Sequence, residues 1–97
     1  MNEQIKAKIK QRRFQMMVHS YIYYELDDNI ISDAKWAEWA HELEDLQNSH
    51  PEESKAVKEY YKDFIGWDGS SGAFLKFDNR IKKTAQRLLN YRDKKGV

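Results

Sequence analysis

An uninterrupted stretch from Glu3 to Glu25, free of glycine and proline, constrains the fold of this 97-residue chain most strongly. Its apolar residues recur every three or four positions, as on one face of a helix. They are Ile5, Ile9, Phe14, Met17, Val18, Tyr21 and Ile22. The spacing predicts a helix over 3–25. Because 97 residues suit a single domain, we expect residues 1–97 to pack as one unit around this helix.

A second helix is predicted directly after a short turn. Asp27, Asp28 and Asn29 favour the turn, and Ser32 is suited to cap a helix that starts at Asp33. The apolar stripe of this helix continues to about Ser49. It consists of Trp36, Ala40, Leu43 and Leu46, widened by Ala37 and Trp39. The two helices, 3–25 and 33–49, should therefore form a helix–turn–helix corner.

The second half of the chain predicts two more helices separated by a loop. Pro51 suits the first position of a third helix, which we expect to run to about Tyr61. The segment 64–77 is rich in glycine and aromatic residues and predicts a bent loop or a short hairpin. Asp78 or Asn79 would cap a last helix over 80–93. Its expected core side is Ile81, Ala85, Leu88 and Leu89. The predicted fold class is mostly α, a compact four-helix domain.

Charge is distributed unevenly although the net charge is only +1. Residues 1–13 carry five positive charges and one negative, and residues 54–97 carry eleven and five. Residues 25–53 carry one positive charge and ten negative. One interpretation is three solvated helix faces. The other is a surface with poles of opposite sign that steers a charged partner.

Two basic clusters are the candidate sites for nucleic-acid or partner contact. Packed side by side, the first and last helices would join them into one patch that follows a phosphate backbone. The candidate residues are Lys6, Lys10, Arg13, Lys82, Lys83 and Arg87. The alternative is two separate solvated faces. The acidic middle could instead engage a basic groove on another protein.

Several classes of chemistry lack their residues. The chain has no cysteine, which excludes disulfides and thiolate metal sites and fits a cytoplasmic protein. His19, His41 and His50 do not have metal-ligand spacing, so we expect no metal site. No phosphate-binding loop, activated nucleophile, signal peptide or membrane span is evident, and we expect no catalytic residues and no membrane partner.

The segment from His19 to Pro51 contains an H-x-Y-x-Y element, an I-S-D element, an E-L-x-x-L element and a final H-P, in this order and without gaps. The residues that make up this pattern are His19, Tyr21, Tyr23, Tyr24, Asp27, Ile31, Ser32, Asp33, Glu42, Leu43, Leu46, His50 and Pro51. The pattern resembles the small N-terminal domain (Ia) of bacterial NAD-dependent DNA ligases. In that family the domain holds the nicotinamide mononucleotide half of NAD.

The resemblance implies a cofactor-binding site at Tyr23, Tyr24, Asp33 and Trp36. Its ligand would be NAD or nicotinamide mononucleotide, and we expect no cofactor to be required. The alternative is that Tyr21, Tyr23, Tyr24 and Trp36 chiefly hold the two helices together.

Four positions depart from the family pattern. Ala37 replaces a carboxylate, Asn29 replaces proline and Lys35 replaces an acidic residue. Trp36 replaces a tyrosine, which keeps the ring and loses the hydroxyl.

Nothing in the chain resembles the K-x-D-G motif of a ligase adenylation domain, so we expect no enzymatic activity. Small proteins that resemble this module are known in phages and prophages. The leading hypothesis is therefore a non-catalytic, phage-type binding protein that acts on host DNA metabolism or defence through a host protein or a nucleotide partner, with nucleic acid as a further candidate partner. The alternatives are an anti-CRISPR-like nuclease inhibitor and an accessory nucleotide-binding subunit of a truncated ligase.

Overall fold

The computed structural model describes residues 2–70, 72 and 75–95. Within them the chain forms five helices and no strand: α1 (Glu3–Glu25), α2 (Asp33–Ser49), α3 (Pro51–Ala56), α4 (Tyr61–Phe64) and α5 (Asn79–Lys95). The mostly α prediction is confirmed. None of these helices, in the part of the chain described, combines the length and the apolar character needed to cross a membrane.

The long helix α1 is the centre of the fold. It packs against α2, α3 and α5, and its buried face provides much of the core. The apolar residues of that face are Ile9, Met16, Met17, Val18 and Ile22. Asn2 caps the helix by accepting a hydrogen bond of 3.1 Å from the Ile5 N–H. The bounds of α1 are those predicted from the sequence.

The predicted helix–turn–helix corner is present. The Ser32 hydroxyl accepts a hydrogen bond of 3.0 Å from the Lys35 N–H and so caps α2 at the expected residue. The chain leaves α1 through Asp27, whose φ of 51° lies in the left-handed region that aspartate tolerates better than most residues. The Asp28 N–H then donates to the Ile22 carbonyl at 3.1 Å, which closes the turn.

The third helix is shorter than predicted. It ends at Ala56 instead of continuing to Tyr61, and α4 forms a separate single turn. Val57 is extended, and Tyr60 has a left-handed φ of 58°, which is rare for a bulky residue. The sequence pattern could not predict this break. The backbone carbonyls at and after the end of α3 accept hydrogen bonds from a side chain that is distant in sequence.

That side chain is Arg13. It was predicted to be a surface contact residue, but it is fully buried. Its Nη1 donates to the carbonyls of Val57 at 2.7 Å and Glu59 at 3.1 Å. Its Nη2 donates to the Ser54 carbonyl at 2.9 Å and the Ser54 hydroxyl at 2.8 Å. Its Nε donates to Gln47 Oε1 at 2.8 Å. Arg13 thus supplies donors to the carbonyls that the end of α3 leaves unpaired.

Burial lowers the pKa of Arg13 to about 10. The guanidinium therefore stays charged at neutral pH. All three of its nitrogen atoms donate hydrogen bonds, which is what makes a buried cation tolerable in a small core.

The glycine- and aromatic-rich segment is a loop that packs closely on α1 and α2. The described part contains no hairpin, and residues 71, 73 and 74 of the predicted segment lie outside the described residues. Gly69 has a φ of 77°, and a Cβ there would lie 3.4 Å from the Ala40 carbonyl oxygen. A Cβ on Gly72 would lie only 2.9 Å from the Ser20 Cβ. Glycine is required at position 72 because the backbone there lies directly against α1.

The last helix packs on α1 with the predicted cap. Asp78 accepts a hydrogen bond of 2.9 Å from the Ile81 N–H. Ile81, Ala85 and Leu89 are buried, as expected. Leu88 was predicted to face the core but lies 37% exposed, because the contact with α1 is narrower than the apolar stripe.

We expect Arg13→Met to lower the free energy of unfolding by about 3 kcal/mol or more, since each buried acceptor left unpaired costs roughly 1–3 kcal/mol. Urea denaturation measures the loss. The matched control is Arg87→Met, which removes an exposed guanidinium on α5 and should change stability by less than about 0.5 kcal/mol. Equal effects in the two variants would contradict the structural role of Arg13.

Candidate functional site

A cleft of about 180 Å³ lies where the end of α1 meets the start of α2. The last turns of α1, the connecting loop and the first turn of α2 form its walls. Its lining residues are His19, Tyr23, Tyr24, Asn29, Ile30, Ile31, Ser32, Asp33 and Trp36. The cleft therefore belongs to the helix–turn–helix corner.

All four residues predicted to bind a cofactor line this cleft: Tyr23, Tyr24, Asp33 and Trp36. Tyr23 is 48% exposed and Tyr24 is 41% exposed, so neither serves mainly as a core residue. Their rings meet edge to face, with centroids 4.9 Å apart. In contrast, Tyr21 is partly buried against Phe77 and packs on the hydrophobic core. The structure thus divides the aromatic cluster between core and cleft.

Trp36 belongs to both the cleft and the core. Its indole N–H donates to the buried Ser20 hydroxyl at 3.3 Å. Its ring also meets Trp67 edge to face at 6.3 Å, and Trp67 packs on Phe64 at 4.9 Å. The loop after α4 therefore holds Trp36 from behind, which fixes the ring that faces the cleft.

His19 is a cleft residue to which sequence reasoning assigned no role. Its imidazole is half-buried and tilted against Trp39, with ring centroids 5.6 Å apart. Its Nδ1 is buried and has no hydrogen-bond partner among the described residues. Burial lowers the pKa of His19, so the ring is neutral at pH 7. The sequence signal that could have identified His19 as a cleft residue is its four-residue spacing from Tyr23, which places both side chains on one helix face.

The loop between α1 and α2 is tied to the last helix. The Arg92 guanidinium donates to both carboxylate oxygens of Asp28, at 2.9 Å and 3.0 Å, and to the Asn29 carbonyl at 2.8 Å. The hydrogen bonds from Arg92, with that from the Asn29 N–H, hold the pKa of Asp28 below its usual range. Cleft residues 29–32 follow directly on this anchor.

The six basic contact residues do not form one patch. Lys6 pairs with Glu3 at 3.5 Å and Lys10 with Glu59 at 3.7 Å, and both lie beside the end of α3. Arg13 is buried. Lys82 lies instead beside Tyr21, towards the other end of α1.

The two basic clusters also differ in charge balance. Lys8 and Arg12 share Glu42 of α2, at 3.6 Å and 3.0 Å, so α1 and α2 neutralise each other in part. On α5, Lys82, Lys83 and Arg87 are exposed and make no ion pair within the described residues. The described part of the chain contains no group of three or more His, Asp or Glu residues that could hold a metal ion.

Residues 2–56 match the family described as "DNA ligase-like, N-terminal NAD+-binding domain". The match covers more than half of the chain and includes α1, α2, α3 and every residue of the cleft. The chain belongs to this family. The resemblance inferred from the His19–Pro51 segment is thereby confirmed.

Two relatives are similar to about half of this chain. A DNA ligase of Bacteroides fragilis is 44% identical over 48 residues, which cover 50% of the chain and 7% of that protein. A DNA ligase of Roseiflexus sp. is 37% identical over 51 residues, which cover 53% of the chain and 7% of that protein. The chain thus spans a small fraction of either ligase. No solved structure matches it.

The lowered pKa of His19 makes the stability of this ligase-type domain depend on pH. The unfolded chain, where the pKa is about 6.5, takes up a proton before the folded chain does. The contribution of neutral His19 is therefore present above pH 6.5 and is lost as the pH falls towards the folded pKa. We expect His19→Gln, which cannot titrate, to lose less unfolding free energy than the wild type between about pH 7.5 and 5. Urea unfolding at both pH values measures this, and a steeper loss in the variant would contradict it.

Proposed function

We propose that the cleft binds the nicotinamide mononucleotide half of NAD+. One observation carries this proposal: Tyr23, Tyr24, Asp33 and Trp36, selected by family resemblance, line a single open cleft in the fold. Tyr23 and Tyr24 also leave their rings partly exposed, so a ligand in the cleft can contact them.

The aromatic walls suit a flat, cationic pyridinium ring. Such a ring gains dispersion and cation–π energy of about 0.5–2 kcal/mol at each aromatic face that it contacts. Trp36 offers the larger face and is held rigidly by Ser20 and Trp67, so little side-chain entropy is lost when a ligand binds.

The polar residues of the cleft suit a ribose. Asp33 offers carboxylate acceptors to hydroxyl donors, and Ser32 and Asn29 lie beside it along the same wall. His19 Nδ1 is a further buried polar atom that a ligand hydroxyl or amide could satisfy. A volume of about 180 Å³ is below the roughly 300–1,000 Å³ of pockets that enclose drug-sized ligands, so it suits a ring and part of a sugar.

The proposed role is binding without chemistry. The relatives are DNA ligases, and the matched segment corresponds to their NAD+-binding domain. We propose that this domain acts in DNA metabolism through a partner: as an accessory nucleotide-binding unit of a ligase, or as a phage-type inhibitor of a nuclease or defence protein of the host. Affinity capture from host extract, with a Trp36→Ala bait as control, distinguishes these roles by recovering either a ligase fragment or a nuclease.

The nucleotide proposal is tested by titrating the protein with nicotinamide mononucleotide and recording Trp fluorescence and calorimetric heat. We expect saturable binding that Tyr24→Ala weakens by about two- to thirtyfold, since one aromatic contact is removed. Ile65→Ala is the control. Like Tyr24, Ile65 is a large exposed side chain, but it lies outside the cleft. Absence of a saturable signal at millimolar ligand would rule the proposal out.

Ala37 gives the same test a second arm. The family pattern has a carboxylate here, and Ala37 is one helical turn beyond Asp33. A restored charged hydrogen bond is worth on the order of 1.5–3 kcal/mol, so Ala37→Asp should tighten binding by about 10- to 150-fold. A folded Ala37→Asp protein with unchanged affinity would argue that the ligand does not reach α2 at this turn.

The outer face of α5 supports a second candidate function, binding of a nucleic-acid backbone. The supporting observation is the contrast between the paired cations of α1 and the exposed Lys82, Lys83 and Arg87, which have no ion-pair partner within the described residues. Lys83 and Arg87 are one helical turn apart and so present two charges to the same side.

We expect labelled single- or double-stranded DNA to bind and to dissociate as salt rises from about 50 to 200 mM, because phosphate contacts release counterions. Lys83→Glu combined with Arg87→Glu should abolish the anisotropy change. Lys55→Glu with Lys62→Glu changes net charge equally at exposed sites elsewhere and should retain most of it. Equal losses in the two double variants would indicate net charge alone. If DNA does not bind, the face is left to an acidic protein partner or to solvent.

A further inference from the structure

A helix outside the family-matched segment holds one wall of the cleft. The match ends at residue 56, whereas α5 begins at Asn79. Within the cleft, Asn29, Ile30 and Ile31 lie on a loop that has no helical or strand hydrogen bonding of its own. Beyond the turn that the Asp28 N–H closes on the Ile22 carbonyl, the conformation of that wall depends on contacts with other parts of the molecule.

Arg92 makes those contacts with well-defined geometry. Its two terminal nitrogens engage the two oxygens of Asp28 in a fork, at 2.9 Å and 3.0 Å, and Nη1 also reaches the Asn29 carbonyl at 2.8 Å. On the other side of the guanidinium, Asp93 accepts from Nε at 3.1 Å and from Nη2 at 2.9 Å. Asp93, on the same helix, therefore orients the guanidinium that binds the loop.

The position of the carbonyl contact matters most. Asn29 stands where the family pattern has proline, a residue that restricts its own backbone. In this chain the same stretch of loop lacks that covalent restriction and has instead a hydrogen bond to the Asn29 carbonyl and a bidentate bond to the preceding side chain.

We infer that Arg92 is a positioning residue for the nucleotide cleft, and that α5 is a working part of the binding module in this chain. The inference rests on the proposed nucleotide binding. The mechanism is a population effect. If the loop leaves its binding-competent conformation for part of the time, the apparent affinity falls by the competent fraction. Because the pair is at the surface, with both side chains more than a third exposed, it adds little to global stability.

The test compares Arg92→Gln with Lys94→Gln, which removes one positive charge from an exposed position of the same helix and leaves the Arg92–Asp28 pair intact. Amide hydrogen exchange over residues 26–32 reads the loop, and titration with nicotinamide mononucleotide reads the cleft. For Arg92→Gln we expect exchange and the dissociation constant each to rise about three- to tenfold, with the urea midpoint nearly unchanged. Lys94→Gln should leave all three quantities unchanged.

Arg92→Lys separates geometry from charge. Lysine keeps the positive charge but cannot form the fork with a carboxylate. We expect it to behave like Arg92→Gln, whereas simple long-range attraction of the ligand phosphate would leave it like the wild type and would overturn the positioning role.

The outcomes also separate this inference from the proposed function. If the wild type binds no nicotinamide mononucleotide, the proposed function falls, and hydrogen exchange still decides whether Arg92 orders the loop. If Arg92→Gln changes neither loop exchange nor affinity, the inference is overturned. Faster exchange with unchanged affinity would also overturn it, because Arg92 would then stabilise a loop that the ligand does not need.

Discussion

The fold depends on one buried guanidinium. Arg13 lies in the middle of α1 and binds Gln47 of α2, Ser54 of α3 and the chain beyond α3 through five hydrogen bonds. A domain of this size has a small hydrophobic core, so apolar burial alone leaves little margin for fixing how its helices are arranged. A guanidinium is planar and donates hydrogen bonds in fixed directions. It therefore favours one arrangement of the surrounding carbonyls, a structural specificity that dispersion forces cannot supply.

The cleft is built in two layers. The inner layer comes from the corner between α1 and α2, where Tyr23, Asp33 and Trp36 face the space between the helices. The second layer consists of two residues after residue 56 that support the first. Trp67 contacts the Trp36 indole, and Arg92 binds Asp28 of the turn. The corner lies within the matched family segment, and the supporting residues lie outside it. The second half of the chain therefore supports a site whose lining residues all come from the first half.

How far the sequence could predict this structure depends on the range of the interactions. Local periodicity and capping residues predicted α1, α2 and the start of α5, since Ser32 and Asp78 act within one turn of their own positions. The predicted end of α3 was wrong because the actual end depends on Arg13, which is more than 40 residues distant in sequence. The same long-range bonding explains why the sequence predicted a surface position for Arg13, which is where an arginine on the polar side of a helix normally lies.

The candidate site shows the same division. Family resemblance was sufficient to select Tyr23, Tyr24, Asp33 and Trp36, and they lie together. It gave no role to His19, whose significance lies in an unpaired buried nitrogen that only coordinates reveal. It also could not pair Arg92 with Asp28, because nothing in either neighbourhood distinguishes that arginine from the other cations of α5.

The contact between Gly72 and Ser20 has a consequence for how variation in this chain should be interpreted. Ser20 accepts the Trp36 indole N–H, and any side chain at position 72 would have to displace Ser20. A substitution at 72 would thus reach the cleft through two intermediaries, without touching its wall. In a mutational scan, position 72 should group with the cleft residues and not with the neighbouring loop, and glycine at position 20, which removes both contacting atoms of Ser20, should relieve its intolerance.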